Sequence, residues 1–270
     1  MFEVLIKEAK LRNFSQRTID TYIYYNQHFI KFCHKKPTEI TTQDIREYLL
    51  HLTERRYSSS SINLAHNAIN FYYQQIMKRS FPVSFQRREQ KMREILTQEE
   101  IKALIDMTQN QKHKLLISFL YATGVRVAEV IKIKISDINF PQKLLLVRQG
   151  KGKNDRYTIL SEKLIIQINE YCRNQRFQSG QFFLFETAKG HITSRTVQLI
   201  LKNAQKKAKI TKSVTPHVLR HSFATHLMEA NVKTEYIQQL LGHNDIRTTR
   251  IYETIITKHL QAIKSPHDLL

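Results

Sequence analysis

Only 6 glycines and 5 prolines punctuate the 270 residues, and that scarcity limits the fold more than any other feature. Strand-rich folds and long irregular loops depend on tight turns, which draw on Gly and Pro for backbone conformations that other residues resist. A chain poor in both is mostly helix with short connections. The apolar spacing agrees. Ser15 stands as an N-cap before Ile19, Tyr22, Ile23 and Phe29, which recur every three or four residues. Pro37 closes that region, Thr41 or Thr42 caps a shorter helix with Ile45, Tyr48, Leu49 and Leu52, and Ser58 to Ser61 form a polar turn before Ile62, Ala65, Ile69, Phe71 and Ile76. Three or four helices over residues 1–80 make a small all-α domain.

Between Ser80 and Glu94 the periodicity lapses and charge accumulates, so residues 81–95 read as a linker and 96–270 as a second domain. That domain opens on Thr97-Gln-Glu-Glu100, a capping-box pattern, and continues with a buried helix from about Lys114 to Tyr121 and another helix around Arg126. One interruption stands out: Leu144 to Val147 and Arg156 to Leu160 flank a Gly-containing polar loop, as a β-hairpin does. From Glu162 onwards the pattern is helical, with Gly190, Pro216 and Gly242 as punctuation. The expected fold is mainly α with a small β-hairpin or sheet: an N-terminal helical domain followed by a C-terminal α+β domain.

A formal charge of +20, from 43 Lys plus Arg against 23 Asp plus Glu, points to a polyanionic partner. Both parts share it. Up to Ile95 there are 16 basic and 9 acidic residues, and beyond it 27 and 14, as expected if each part touches the same phosphate backbone. A membrane surface is the rival target, but no stretch approaches the roughly 18 apolar residues of a spanning helix. The N-terminus is also charged too early for a signal peptide. We therefore expect a soluble protein of the cytoplasm, associated with the nucleoid. Cys33 and Cys172 stand far apart without a second pair, so a disulfide framework and a Cys-based zinc site are both disfavoured.

Several polar residues could carry chemistry on a phosphodiester. Its negative charge repels nucleophiles, so cleavage needs charge neutralisation, an oriented nucleophile and a proton for the leaving oxygen. Arg126 and Arg220 offer forked donors that Lys cannot reproduce. His217 precedes Arg220 by three residues, on the same side of a helix, and His243 adds a further donor. Tyr252 is a nucleophile once nearby cations favour its phenolate. None is distinctive alone: His221 and His226 share the helix of His217, Tyr252 is one of 12 tyrosines, and Arg126 has Glu129 nearby as an ordinary partner.

Taken together the motifs are specific. Ala122-Thr-Gly-Val-Arg126-Val-Ala-Glu129, Gly150-Lys151-Gly, Thr215-Pro-His217-Val-Leu-Arg220-His, Leu240-Leu-Gly-His243 and Thr249-Arg-Ile-Tyr252 resemble, in order and spacing, the tyrosine recombinases of the phage-integrase and Xer family. The N-terminal helices are similar to that family's core-binding domain but carry no motif of comparable specificity. The resemblance implies that Arg126 and Arg220 bind the scissile phosphate with His217 and His243, that Tyr252 attacks it, that Lys151 protonates the leaving 5′-oxygen, and that Glu129 braces Arg126. Lys153, two residues from Lys151, is the alternative acid; the place of Lys151 between glycines favours it. Lys153, Arg156, Arg247 and Arg250 are expected to contact DNA.

The implied reaction proceeds through a 3′-phosphotyrosyl link and needs no cofactor, metal or ATP. The implied partner is a double-stranded recombination site, bound by a homo-tetramer that is a monomer or weak oligomer when free, with a partner recombinase or accessory protein as a further expectation. The tail 253–270 carries Ile255, Ile256, Leu260 and Ile263 at helical spacing. It either packs on its own domain or, as the resemblance favours, docks into a neighbouring protomer. Two other readings stand beside this one. Thr234 to Arg250 can be read as a helix-turn-helix of a non-enzymatic regulator, which leaves Arg126, Lys151 and His217 unassigned. A type IB topoisomerase would share the chemistry without exchanging partners.

Overall fold

Short hydroxyl side chains begin most of the described helices, because each accepts a backbone N–H that the first turn leaves unpaired. The computed structural model describes residues 2–84, 94–148, 155–175, 182–187, 190–242 and 263–270 and divides the chain into two units, Met1–Met92 and Arg93–Leu270. In the first unit, α1 (Glu3–Leu11) precedes α2 (Gln16–Cys33), which Ser15 caps by accepting from the Thr18 N–H. α3 (Thr42–Glu54) starts at Thr41, whose hydroxyl accepts the Asp44 N–H while the Asp44 carboxylate accepts from Thr41. α4 (Ser59–Phe71) starts at Ser58. The serines expected in a polar turn are thus a cap and the first helical turn. Leu5, Ile19, Phe29, Ile45, Tyr48, Ile62, Ile69 and Tyr73 form the core of this unit, joined by Phe81 from the segment read as a linker. Of that segment, residues 85–93 lie outside the described residues, and Leu96 just beyond it is fully buried in the second unit's core.

The second unit is built round α6 (Gln111–Thr123), in which every residue from Leu115 to Thr123 is buried. A helix apolar on all sides must be wrapped on all sides. α5 (Gln98–Asp106), with its Thr97–Glu100 capping box, α8 (Glu162–Gln175) and α10 (Pro216–Glu229) supply the wrapping through Ile101, Leu164, Leu219 and Phe223, and α9 (Ser194–Lys207) adds Val197 to the same core by packing on α5 and α10. Thr215 caps α10 and Pro216 takes its first position, where the missing N–H costs nothing. α7 (Val127–Val130) and α11 (Thr234–Leu241) are short and end beside the site.

The expected hairpin is present as β2 (Leu144–Val147) paired antiparallel with β3 (Arg156–Ile159). A third strand, β1 (Ile138–Asn139), extends the sheet beside β2, and β4 (Glu186–Thr187) pairs with β5 (Gly190–His191) in a region expected to be helical throughout. Two-residue strands are too short to show a period.

Part of the tail is described. Residues 263–270 pack on their own unit: the Ser265 hydroxyl donates to the Ala122 carbonyl (3.2 Å), the Ser161 hydroxyl and His267 Nδ1 share a hydrogen bond (2.8 Å), and the Lys163 N–H donates to Asp268 (3.1 Å). Ile263 and Leu270 lie against the same core. The polar groups of this segment find partners within its own unit; 253–262, with Ile255, Ile256 and Leu260 of the stripe expected to dock, lie outside the described residues. Among the described residues no helix is long and apolar enough to cross a membrane, and no group of His, Cys, Asp and Glu is set to hold a metal.

Candidate active site

The site is assembled at the C-terminal end of α11, where helix geometry leaves carbonyls without helical donors and gathers partial negative charge. Three consecutive carbonyls there are each claimed by a different arginine. Leu240 O accepts from Arg156 Nε (3.0 Å), Leu241 O from Arg220 Nη2 (2.5 Å) and Gly242 O from Arg126 Nη2 (3.3 Å). Arg220 also donates to Gly124 O at 2.7 Å. That carbonyl is exposed to it because Gly124 ends α6 in the left-handed region, at φ +61°.

Arg126 is the N-cap of α7 and not part of the helix; its backbone N–H and Nη1 donate to Glu129 at 2.7 and 2.8 Å. Glu129 is the hub. Besides Arg126 it accepts a two-pronged pair from Arg156, both bonds at 2.8 Å, the fork-to-carboxylate geometry that makes such contacts strong. Burial alone would raise the Glu129 carboxyl, but the hydrogen bonds and charge of Arg156, then those of Arg126, overcome it and hold the group down to about 2. Three guanidiniums against one carboxylate leave this cluster with surplus positive charge. Burial, followed by the charges of Arg126 and Arg156, lowers Arg220 to about 10 against the pull of Glu129, so it stays a cation at neutral pH. A pocket in which cations disfavour one another is one that an anion stabilises.

Of the residues singled out in the sequence, the fold thus brings together Arg126, Glu129 and Arg220. His217 is exposed on α10, one turn before the buried Arg220, with its ring edge-on to His221 at 4.4 Å. His226, an equal candidate by sequence, is buried and bonded to the Tyr121 hydroxyl (2.8 Å); burial lowers its pKa, and it is a core residue. Arg156 needs correcting: expected on DNA, it is turned inwards with its side chain 10% exposed and its donors committed to Glu129 and Leu240 O. Lys151, Lys153, His243, Arg247, Arg250 and Tyr252 lie outside the described residues. What sequence reasoning missed is the role of the three carbonyls, which carry no side-chain signal; Gly242 was the only hint.

Residues 94–259 match the phage integrase family, and residues 1–82 match the N-terminal SAM-like domain of phage integrases. The chain is 33% identical over 256 residues to tyrosine recombinase XerA of Pyrococcus horikoshii, covering 93% of this chain and 88% of that protein. A crystal structure of XerA recombinase covers 94% of this chain and 95% of its own at 32% identity, with a TM-score of 0.54. XerH site-specific recombinase, in a pre-cleavage complex with its difH substrate, has a similar fold, with a TM-score of 0.73 at 22% identity over 89% of this chain and 77% of that one.

Proposed function

The chain belongs to the phage integrase family of tyrosine recombinases, enzymes that cleave and rejoin DNA strands through a phosphotyrosine intermediate, and from that premise we propose how its own residues divide the work. Its partner is DNA. Arg126 and Arg220 hold the non-bridging oxygens of the scissile phosphate, with His217 and His243 as further donors, and their charge permits attack on an anion. The Tyr252 oxygen bonds to phosphorus as the bond to the 5′-oxygen breaks. We assign His217 to take the phenolic proton and Lys151 to supply one to the leaving oxygen. Attack by a 5′-hydroxyl of a second duplex runs the same steps in reverse and joins new partners. Trading both strands of two sites calls for four active sites, hence a homo-tetramer on DNA, in a cytoplasmic, nucleoid-bound setting.

The observation that supports this most is the meeting of Arg126, Arg156 and Arg220 on one carboxylate and one helix end, since a regulator that only binds DNA has no use for buried cations in surplus. The test is a DNA duplex nicked beside the scissile phosphate, which traps the covalent intermediate. The unsubstituted chain should form a protein–DNA adduct and Tyr252→Phe none. With sulfur in place of the leaving 5′-oxygen no proton is needed, because a thiolate leaves unaided. Lys151→Ala should be slow on the ordinary substrate and restored on the sulfur one, whereas Lys153→Ala should be little affected; the reverse pattern would move the acid to Lys153.

A further inference from the structure

Arg156 is the first residue of β3 and pairs with Val147, the last residue of β2. A basic residue at the rim of a hairpin is ordinarily solvated, yet this side chain is only 10% exposed and all three of its nitrogens donate within the protein. The backbone above it is shaped to let it through. A Cβ on Gly242 would stand 2.7 Å from Arg156 Cδ and 3.0 Å from Nε, so any other residue in this left-handed turn, at φ +64°, would have to displace the arginine.

What Arg156 touches explains what it does. Glu129 Oε1 is shared between Arg156 Nη1 and Arg126 Nη1, and Oε2 between Arg156 Nη2 and the Arg126 backbone N–H. A carboxylate this buried must be neutralised by a neighbour. With Arg156 in place that neighbour is Arg156, which meets both oxygens, and Arg126 meets it with one arm while the other reaches Gly242 O. Without it, Arg126 is the remaining cation in contact with Glu129, and its fork would be drawn onto the carboxylate. The bond from Arg156 to Leu240 O also fixes the start of the turn whose next two carbonyls hold Arg220 and Arg126.

We propose that Arg156 is a positioning residue of the cleavage reaction: by satisfying Glu129 and the end of α11, it leaves the charge of Arg126 free for the scissile phosphate and holds Arg126 and Arg220 in register. This rests on the reading of those two arginines as the phosphate ligands.

The experiment measures the single-turnover rate of adduct formation on two substrates, an ordinary phosphodiester and one in which a methyl group replaces a non-bridging oxygen and removes the charge. Arg156→Gln should slow the first on the order of 100-fold, the cost of a misplaced catalytic group, and the uncharged substrate only a few-fold. Removing the carboxylate as well, in Arg156→Gln with Glu129→Gln, should make the double variant faster on the ordinary substrate than Arg156→Gln alone, because no orphaned anion is left to claim Arg126. Equal slowing on both substrates, or a double variant no faster than the single one, would overturn the proposal, since a weakened fold does not discriminate between substrates by charge. Should Arg156→Gln fail to fold, Arg156→Lys keeps the charge without the fork and is assayed in the same way, with a smaller loss expected, again confined to the charged substrate. Failure of the underlying reading has a different signature: the unsubstituted chain would give no Tyr252-dependent adduct with either substrate.

Discussion

Two glycines hold the arginine cluster in place, and they do so for different reasons. Gly124 ends α6 at φ +61°, and a Cβ there would lie 2.5 Å from Cδ1 of the fully buried Phe223. Gly242 ends α11 at φ +64°, and its Cβ would meet Arg156 instead. Both substitutions impose left-handed backbone on an L-residue, but only the first also drives a side chain into the hydrophobic core. Gly124→Ala should therefore destabilise the protein by about 2 kcal/mol, read as a lower denaturant midpoint. Gly242→Ala should lose less stability but a larger share of cleavage activity, because its clash displaces the guanidinium that serves Glu129. Equal stability losses would mean that Arg156 is held as firmly as the core. The sequence discloses the side chains here better than their arrangement. Arg126, Glu129 and Arg220 can be picked out because their types and spacing suit phosphate chemistry, whereas the acceptors that orient them are backbone carbonyls of Leu240, Leu241 and Gly242, which any sequence could supply. For the same reason Arg156 looked like a surface base.

The elements were legible to the degree that each has its own local cause. Ser15 and Thr97 announce their helices, and the apolar runs on either side of a glycine loop announce the hairpin, because capping and alternation act within a few residues. β1, β4 and β5 have two residues each and exist only through pairing. The seat of residues 263–270 is tertiary as well, and it carries a pH dependence. Burial, then the charge of Lys163, lowers His267 from 6.5 to about 4, with Ser161 bonded to its ring and the Tyr121 ring 6.3 Å away. A depressed folded-state value favours the neutral imidazole, so its contribution is complete above about pH 6.5 and is lost as the pH falls towards 4. The hydrogen-exchange protection factors of residues 263–270, taken relative to the intrinsic exchange rate at each pH, should therefore fall on acidification from neutrality to pH 5 before the core of the unit opens. His267→Gln should flatten that response; a tail equally protected at both pH values would show that the neutral ring is not what seats it.

Surplus positive charge runs through the whole molecule, from the cluster around Glu129 to the full +20. Residues 1–92 hold 15 Lys plus Arg against 8 Asp plus Glu, and the remainder holds the larger excess. Each unit has a core of its own, so each can present its cations on a stable surface. Charge that neutralises DNA phosphates releases counterions, and log affinity then falls with log salt by about 0.9 for each phosphate engaged. If both units lie on the duplex backbone, the intact chain should show a steeper salt dependence than residues 93–270 alone, measured by anisotropy on the same duplex. Arg156→Gln with Glu129→Gln should leave that slope unchanged, because the Arg156 guanidinium is spent on Glu129 and Leu240 O and not on DNA, and without the carboxylate Arg126 stays free for its phosphate. A slope for residues 93–270 equal to that of the intact chain would confine phosphate contact to the catalytic unit. The excess on residues 1–92 would then serve something other than DNA. A shallower slope in that double variant would return Arg156 to the DNA-facing role its sequence position first suggested.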